Sequence, residues 1–221
     1  MLITTRCTVI QNGVDCERFK KQENHARIRE NYLKTLSSKR IIGSVSRLDP
    51  IKDLPNLLKA TGILKQRGYP IYILHRWVGS EEQIDHLYRL AEELEISNQL
   101  ISFGEYDPIT HFYQCVDALI LCSRGEGFPN VLGEAMASEV PCISTDVGDA
   151  SMIVENYGII CSPGNSKEIA DAIEKMFHKL DSNEFLGVSA RQHILQEFNS
   201  QSMGRQLRSA LWAVSTNGVH T

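Results

Sequence analysis

The sequence predicts an α/β fold: a doubly wound parallel sheet forming a single Rossmann-like domain. Three observations point there. Short apolar runs alternate along the chain with longer segments whose apolar residues recur at helical spacing. The run at residues 117–122 is apolar almost throughout, as a strand buried on both faces of a parallel sheet must be. The alternation continues from about residue 40 to the C-terminus, so strands are joined by right-handed helical crossovers.

The elements follow in order. Residues 40–45 read as a strand, and Leu54, Leu57, Leu58, Thr61 and Leu64 mark the helix after it. Residues 71–74 form a second strand, followed by a helix whose face carries Ile84, Leu87, Tyr88, Ala91 and Leu94. A short strand at 100–103 precedes a brief helix after Pro108, and the buried strand at 117–122 comes next. A helix at 131–138, strands at 141–144 and 157–161, and a helix carrying Ile169, Ile173, Met176, Phe177 and Leu180 complete the pattern. The remainder, to about Val214, reads as helical. This fold requires the strands at 41–45 and 117–122 to lie side by side, or nearly so, in one sheet.

At ~150 residues per domain, a chain of 221 residues is one domain with trimmings rather than two. With 42% hydrophobic and 23% charged residues it has globular composition and is long enough to bury a core without disulfides. Lys plus Arg number 23 against 27 Asp plus Glu, a net charge of -4, so no nucleic-acid partner is expected, although a local basic clamp stays open. No apolar run approaches the ~18 residues of a membrane span. The first six residues lack the pattern of a signal peptide, so a cytoplasmic location is expected. Six cysteines (Cys7, Cys16, Cys115, Cys122, Cys142 and Cys161) contain no C-x-x-C pair and are read as buried, reduced thiols. No spacing supports zinc.

Ligands of doubly wound sheets bind at the carboxyl ends of the strands. Two loops there carry chemistry. In the first, residues 43–52, Gly43 allows close backbone approach, and Arg47 and Lys52 can both reach an anion over the strand end. The alternative is that both are solvated surface cations. The second, residues 123–137, leads into a helix starting near Pro129 or Asn130, with proline suited to the first turn and asparagine to the cap. The free amides of such an N-terminus attract anions. Glu126 and Glu134 flank it. A carboxylate beside a phosphate repels it, so these two suit sugar hydroxyls, which donate to ionised acceptors. The alternative is that both serve the helix dipole. Gly125-x-Gly127 is followed by Asn130 rather than a third glycine, so it is no dinucleotide fingerprint, and the chain has no P-loop, H-E-x-x-H or D-x-D. His75 lies nearest a plausible site but is read as a core or surface histidine.

Residues 126–137, Glu-Gly-Phe-Pro-Asn-Val-Leu-Gly-Glu-Ala-Met-Ala, resemble the E-x7-E signature of the retaining family-4 (group 1) glycosyltransferases with the two-domain GT-B fold. Arg47-Leu48-x-x-x-Lys52 resembles that family's phosphate clamp. Residues 9–19 resemble the start of its C-terminal, donor-binding domain, and residues 141–148 the strand and loop after E-x7-E. The match runs in order from about residue 7 to 210. The resemblance implies a nucleotide diphosphate sugar as donor. Arg47 and Lys52 would hold its diphosphate, Glu126 the hexose hydroxyls at the catalytic position, and Glu134 the ribose. The base would lie along the loop from Phe103 to Tyr106, largely against backbone. Gly43, Phe128, Asn130 and Val131 complete the implied donor site. No metal or other cofactor is implied, because cations and the helix N-terminus neutralise the leaving group.

The implied reaction is retaining hexose transfer to a glycan or lipid-linked acceptor, such as a polysaccharide or lipopolysaccharide precursor. The alternatives are a nucleotide-sugar-binding or partner-docking module without turnover, and a folded remnant. The family's N-terminal acceptor domain would precede this chain. A separate acceptor-binding GT-B half is therefore an implied partner, through which the protein could sit peripherally at the inner membrane. Residues 1–20 are expected to open the donor domain, 21–200 to form its α/β body and 201–221 a C-terminal helix and tail. The last helix is expected to be less well anchored than the rest. Three positions depart from the family pattern: Gly148-Asp149 where Gly-Gly is common, Glu139 where a turn glycine is usual, and Val78-Gly79-Ser80-Glu81 in place of Gly-x-Gly-Pro. A positive φ at Glu139 would strain it.

Overall fold

The computed structural model describes residues 9–182 and 185–217, so the readings of residues 1–6 and of Cys7 lie outside the described residues. Six strands form one sheet in the order β3-β2-β1-β4-β5-β6. They are β1 (Ile41–Arg47), β2 (Tyr72–Val78), β3 (Leu100–Ser102), β4 (Ala118–Leu121), β5 (Cys142–Thr145) and β6 (Ile159–Cys161). All neighbouring pairs are parallel. Ile42 pairs with Ala118 and Gly43 with Leu119, so the two strands expected to adjoin do so. Every side chain of β4 and of β5 is buried, which accounts for the unbroken apolar run of β4; in β5 the buried Ser144 and Thr145 hydroxyls donate to the carbonyls of Thr145 and Ser123.

Helices cover both faces. On one face α1 (His25–Leu33), α4 (Ile109–Cys115), α5 (Asn130–Ala137), α6 (Ala150–Val154) and α8 (Leu186–Glu197) share a core with the sheet. On the other lie α2 (Leu54–Gln66), α3 (Glu81–Glu93) and α7 (Ser166–Ser182). The periodic residues of α2 are all buried against the sheet, as their spacing predicts. Ser80 and Gln83 form a reciprocal capping box that starts α3 sharply after β2.

Two helices were not expected. α1 is largely polar and buries only Ile28 and Leu33; it is fastened by Arg29, which donates to Asp117 Oδ1 at 2.8 Å and to the carbonyls of Ser37 and Lys39. α6 has five residues, too few to display a helical period. The helical remainder is also broken. Val14 N donates to the Phe198 carbonyl at 2.7 Å and Ser200 N to the Val14 carbonyl at 3.0 Å, which separates α8 from α9 (Ser200–Asn217). The opening segment is thus stitched to the α8–α9 junction. Beyond it Leu207 and Leu211 of α9 are 47% and 61% exposed, in line with weak anchoring of this helix. Among the described residues no helix is long and apolar enough to cross a membrane.

Glu139 has φ 64°, the left-handed conformation anticipated for the turn before β5. Of the five described cysteines four are buried and Cys161 is half-buried; burial pushes the Cys115 and Cys122 thiols up to about 12 and that of Cys161 up to about 11, so all three are protonated at neutral pH.

His75 lies in the middle of β2, 4% exposed. Its ring stacks on Trp77 at 4.1 Å, and Nε2 meets the Tyr88 hydroxyl at 2.9 Å, while Nδ1 has no partner among the described residues. Burial lowers its pKa from 6.5 to about 4. The unfolded chain therefore binds a proton between those values that the folded chain refuses. The contribution to stability is complete above pH 6.5 and is lost progressively as pH falls towards 4, by about 3 kcal/mol in all. His75→Phe keeps the stacking and cannot titrate. Urea unfolding between pH 4 and pH 7 is expected to show a shallower acid-side loss in the variant, and an unchanged slope would remove His75 as the cause.

Candidate functional site

The strand order reverses between β1 and β4. The connection leaving β1 runs to α2 on one face and that leaving β4 to α5 on the other. A cleft of about 710 Å³ opens between them at the carboxyl ends of the strands. Arg47, Lys52, Glu126, Phe128, Asn130, Val131 and Glu134 all line it. Seven of the ten residues singled out in the sequence are therefore brought together.

The cations come from β1 and its following turn. Arg47 is exposed at the strand end, where β1 pairs with Val78. Asp49 accepts from Ile51 N at 3.0 Å and so starts the 3-10 turn Pro50–Lys52, which points Lys52 back over the sheet. Lys52 Nζ lies 2.6 Å from Glu126 Oε1, with side chains 19% and 13% exposed. Ser123 Oγ donates to the same oxygen at 2.6 Å. The first glutamate of the signature thus has its charge balanced by the clamp lysine.

α5 begins at Asn130, with Pro129 in extended conformation at the N-cap and no side-chain capping bond. The expected asparagine cap is not made. Asn130 is the first helical residue, and its Oδ1 accepts from Asn12 Nδ2 at 3.3 Å instead. The amides at the start of α5 thus have no side-chain cap at the edge of the cleft. One turn in, Glu134 is half-buried and accepts from the Tyr113 hydroxyl at 2.8 Å through Oε2. Burial raises the Glu134 pKa, opposed by the Tyr113 hydrogen bond and the nearby Arg18 charge. Tyr113 is itself held well above its ordinary value by burial and by the Glu134 charge, so its proton stays to donate.

Three singled-out residues lie elsewhere. Gly43 is buried within β1, and a Cβ there would meet Phe112 Cε1 at 2.9 Å and Val116 Cγ1 at 3.0 Å. Its smallness serves packing of α4 on the sheet, not approach of a ligand. Phe103 is 4% exposed, packs on Tyr32 and Phe112, and does not line the cleft. Tyr106 is 96% exposed and does not line the cleft.

Two arginines missed in the sequence do line it, Arg18 and Arg76. Arg76 donates to the carbonyl of Asp107 at 2.8 Å and to that of Glu105, fixing the loop after β3. Its signal was present: an arginine between His75 and Trp77 in an otherwise apolar strand. Arg18 carried none, because the opening segment is placed at the cleft by long-range contacts with α4, α5 and the α8–α9 junction.

The loop after β5 forms the floor under Glu126. Gly148 has φ 52°, and Asp149 N donates to the Gly127 carbonyl at 2.9 Å. A Cβ on Gly148 would come within 2.2 Å of the Gly127 carbonyl and 2.5 Å of that of Glu126, which side chains do not tolerate.

Comparison with known proteins agrees with this geometry. The family model described as "Glycosyl transferases group 1" matches residues 26–193. The chain is 31% identical over 206 residues to the capsular polysaccharide biosynthesis glycosyltransferase CapM of Staphylococcus aureus, covering 90% of this chain and 52% of the relative. It is 28% identical to a D-inositol 3-phosphate glycosyltransferase of Corynebacterium urealyticum, covering 91% and 50%. The chain spans about half the length of these curated relatives. Among solved structures, sucrose-phosphate synthase from Thermosynechococcus elongatus superposes with TM-score 0.84 at 20% identity, covering 95% of this chain and 53% of that one. Anabaena HepE in complex with UDP superposes with TM-score 0.82 at 22% identity, covering 93% and 57%.

Gly148→Ala tests the floor. The strained φ and the clash together are expected to cost about 2 kcal/mol or more of stability. Gly127→Ala, where a Cβ meets nothing within 4 Å, is expected to stay near wild type. Thermal unfolding of the two variants side by side reads the difference, and equal behaviour would mean the loop yields freely.

Proposed function

The chain belongs to the group 1 glycosyltransferase family, and from that premise we propose that it is the donor-binding half of an enzyme that transfers a hexose from a nucleotide diphosphate sugar, with retained configuration, to a glycan or lipid-linked acceptor. The observation that carries this reading is the segregation of charge in one cleft. Arg47, Lys52 and the uncapped start of α5 supply positive potential, while Glu126 and Glu134 supply acceptors at two separate points. A diphosphate suits the first group, and the two polyhydroxyl ends of a sugar nucleotide suit the second.

The chemistry asked of the residues is modest. Cleavage of the glycosidic bond to the diphosphate places negative charge on the leaving oxygen. Arg47 and Lys52 stabilise that charge as it develops, and the dipole of α5 adds to them. Lys52 has three donors, so it can hold Glu126 and a phosphate oxygen together. Glu126, fixed by Lys52 and Ser123, accepts from hexose hydroxyls and orients the sugar over the cleft. Glu134 keeps one oxygen on Tyr113 and offers the other to ribose hydroxyls. The loop pinned by Arg76 gives the base a rigid backbone edge. The cations take the place that a metal fills in D-x-D enzymes, so the reading needs no metal. A glycan or lipid-linked acceptor accords with CapM, whose name assigns it to capsular polysaccharide biosynthesis.

A module that binds donor without turnover is the second reading. Donor hydrolysis or transfer by the chain, alone or with an acceptor-binding half, would decide against it.

The two glutamates test the primary reading by calorimetry. Charged hydrogen bonds are worth ~1.5–3 kcal/mol, so Glu134→Gln is expected to weaken UDP binding roughly tenfold or more. Glu126→Gln releases Lys52 from its partner. It is expected to bind UDP at least as tightly as wild type while losing affinity for the complete UDP-sugar. Because the Glu134 pKa is raised, UDP affinity of the wild type should fall on acidification with a midpoint above that of an ordinary carboxylate. Two variants that behave alike, with folds intact, would overturn these roles.

A further inference from the structure

Lys52 is followed by a residue that the backbone does not favour. Asp53, at the N-cap of α2, has φ 51° and ψ 38°, a left-handed conformation that glycine adopts without strain. An aspartate at an N-cap ordinarily accepts from first-turn amides. The Asp53 side chain makes no such bond. Its carboxylate, 8% exposed, is held instead by Asn56 Nδ2 at 2.6 Å and by Arg124 Nε at 2.8 Å. The Arg124 side chain is 60% exposed, and pairs with so open a partner add little to stability. Neither helix capping nor stability accounts for a strained aspartate here.

The position does. Asp53 adjoins Lys52, and Arg124 lies two residues before Glu126. The two ion pairs, Asp53–Arg124 and Lys52–Glu126, link the same two loops side by side. Between them Arg124 N donates to the Ile51 carbonyl at 2.7 Å, and Cys122 Sγ meets the Lys52 carbonyl at 3.2 Å. Ile51 packs so closely over Gly125 that a Cβ there would lie 3.0 Å from Ile51 Cδ1.

We propose that the Asp53–Arg124 pair is a positioning clasp, which fixes the loop after β1 to the loop after β4 so that Lys52 and Glu126 present one preorganised surface to the sugar nucleotide. Neither clasp residue touches donor; each acts through its neighbour. The backbone strain at Asp53 is accepted because glycine there would leave Arg124 unheld. The proposal rests on the reading of the cleft as a sugar-nucleotide site.

The test uses the full chain with Asp53→Asn, Asp53→Gly, Arg124→Ala and the double variant Asp53→Asn/Arg124→Ala. Asparagine tolerates the left-handed backbone and glycine relieves it, so both should fold. Thermal stability, hydrogen exchange of residues 49–53 and 123–127 without ligand, and UDP-glucose affinity are measured together. A clasp predicts that Asp53→Gly is at least as stable as wild type yet exchanges faster in both loops. It also predicts UDP-glucose binding weaker by about fivefold, with the double variant no worse than the single ones. Unchanged exchange and affinity in Asp53→Gly, or additive losses in the double variant, would overturn it. A wild-type chain that binds neither UDP nor UDP-glucose would defeat the reading of the cleft, while loop exchange would still decide the clasp.

Discussion

The site depends on one constraint of chain topology: β1 and β4 are hydrogen-bonded neighbours whose onward connections leave to opposite faces of the sheet. Two connections that part in this way cannot fill the space between them, so a crevice remains where the strands end. Each side of it inherits what its own connection supplies. The end of β1 and the turn into α2 bring the cations Arg47 and Lys52. The loop into α5 brings two carboxylates and a helix N-terminus. The chemistry is therefore divided before any ligand is considered, and the division has the polarity of a molecule with an anionic middle and hydroxylated ends.

Opposite charges brought so close must be kept from collapsing into a structure with no use. Lys52 and Glu126 lie in contact with little exposure, an arrangement whose desolvation cost offsets much of its Coulombic gain. Ser123 meets part of that cost by donating to the same oxygen, and the backbone bond from Arg124 to Ile51 holds the loops at the required distance. Gly148 does similar work from below, where absence of a side chain lets its loop lie against the carbonyls of Glu126 and Gly127. The glutamate is thus held from three directions before a donor arrives, which reduces the ordering that binding would otherwise require.

Much of this was legible in the sequence, and the exceptions have physical causes. The strands were readable because burial on both faces favours apolar runs, most completely in β4, and the long helices because one face must be apolar. α1 was not, since it buries only Ile28 and Leu33 and is otherwise fastened by side chains such as Arg29, which reaches Asp117 and two carbonyls, and side-chain hydrogen bonds leave no periodic trace. Arg47, Lys52 and the two glutamates were legible through their combined spacing, Arg47-x4-Lys52 and Glu126-x7-Glu134, since either loop alone also reads as solvated cations or as carboxylates serving a helix dipole. Gly43 misled for a related reason. A glycine within a strand admits either a ligand or a neighbouring side chain, and only the fold shows that Phe112 occupies the space. Arg18 was out of reach because its segment is held by residues far along the chain, through the Val14–Asn199 bridge and the packing of Phe19 on Tyr113.

Glu134 shows how the buried side of the site is tuned. Withdrawing a carboxylate from water disfavours its charge, and here burial is the largest influence, raising the pKa. A neutral acid would be a poorer acceptor for any hydroxyl donor in the cleft. The Tyr113 hydroxyl opposes the effect by donating to Oε2, and it is itself held protonated by the same burial and by the Glu134 charge. The two are coupled: the Glu134 charge adds to burial in raising the Tyr113 pKa, and the Tyr113 hydrogen bond offsets part of the burial that raises that of Glu134. Arg18 adds a weaker bias in the same direction. Oε2 is occupied by the phenol, and no partner holds Oε1 among the described residues, so the glutamate presents one charged oxygen to the cleft. An acceptor fixed at one atom and open at the other, within a turn of an uncapped helix start, can tell a hydroxyl from a phosphate oxygen, because the first donates to it and the second is repelled.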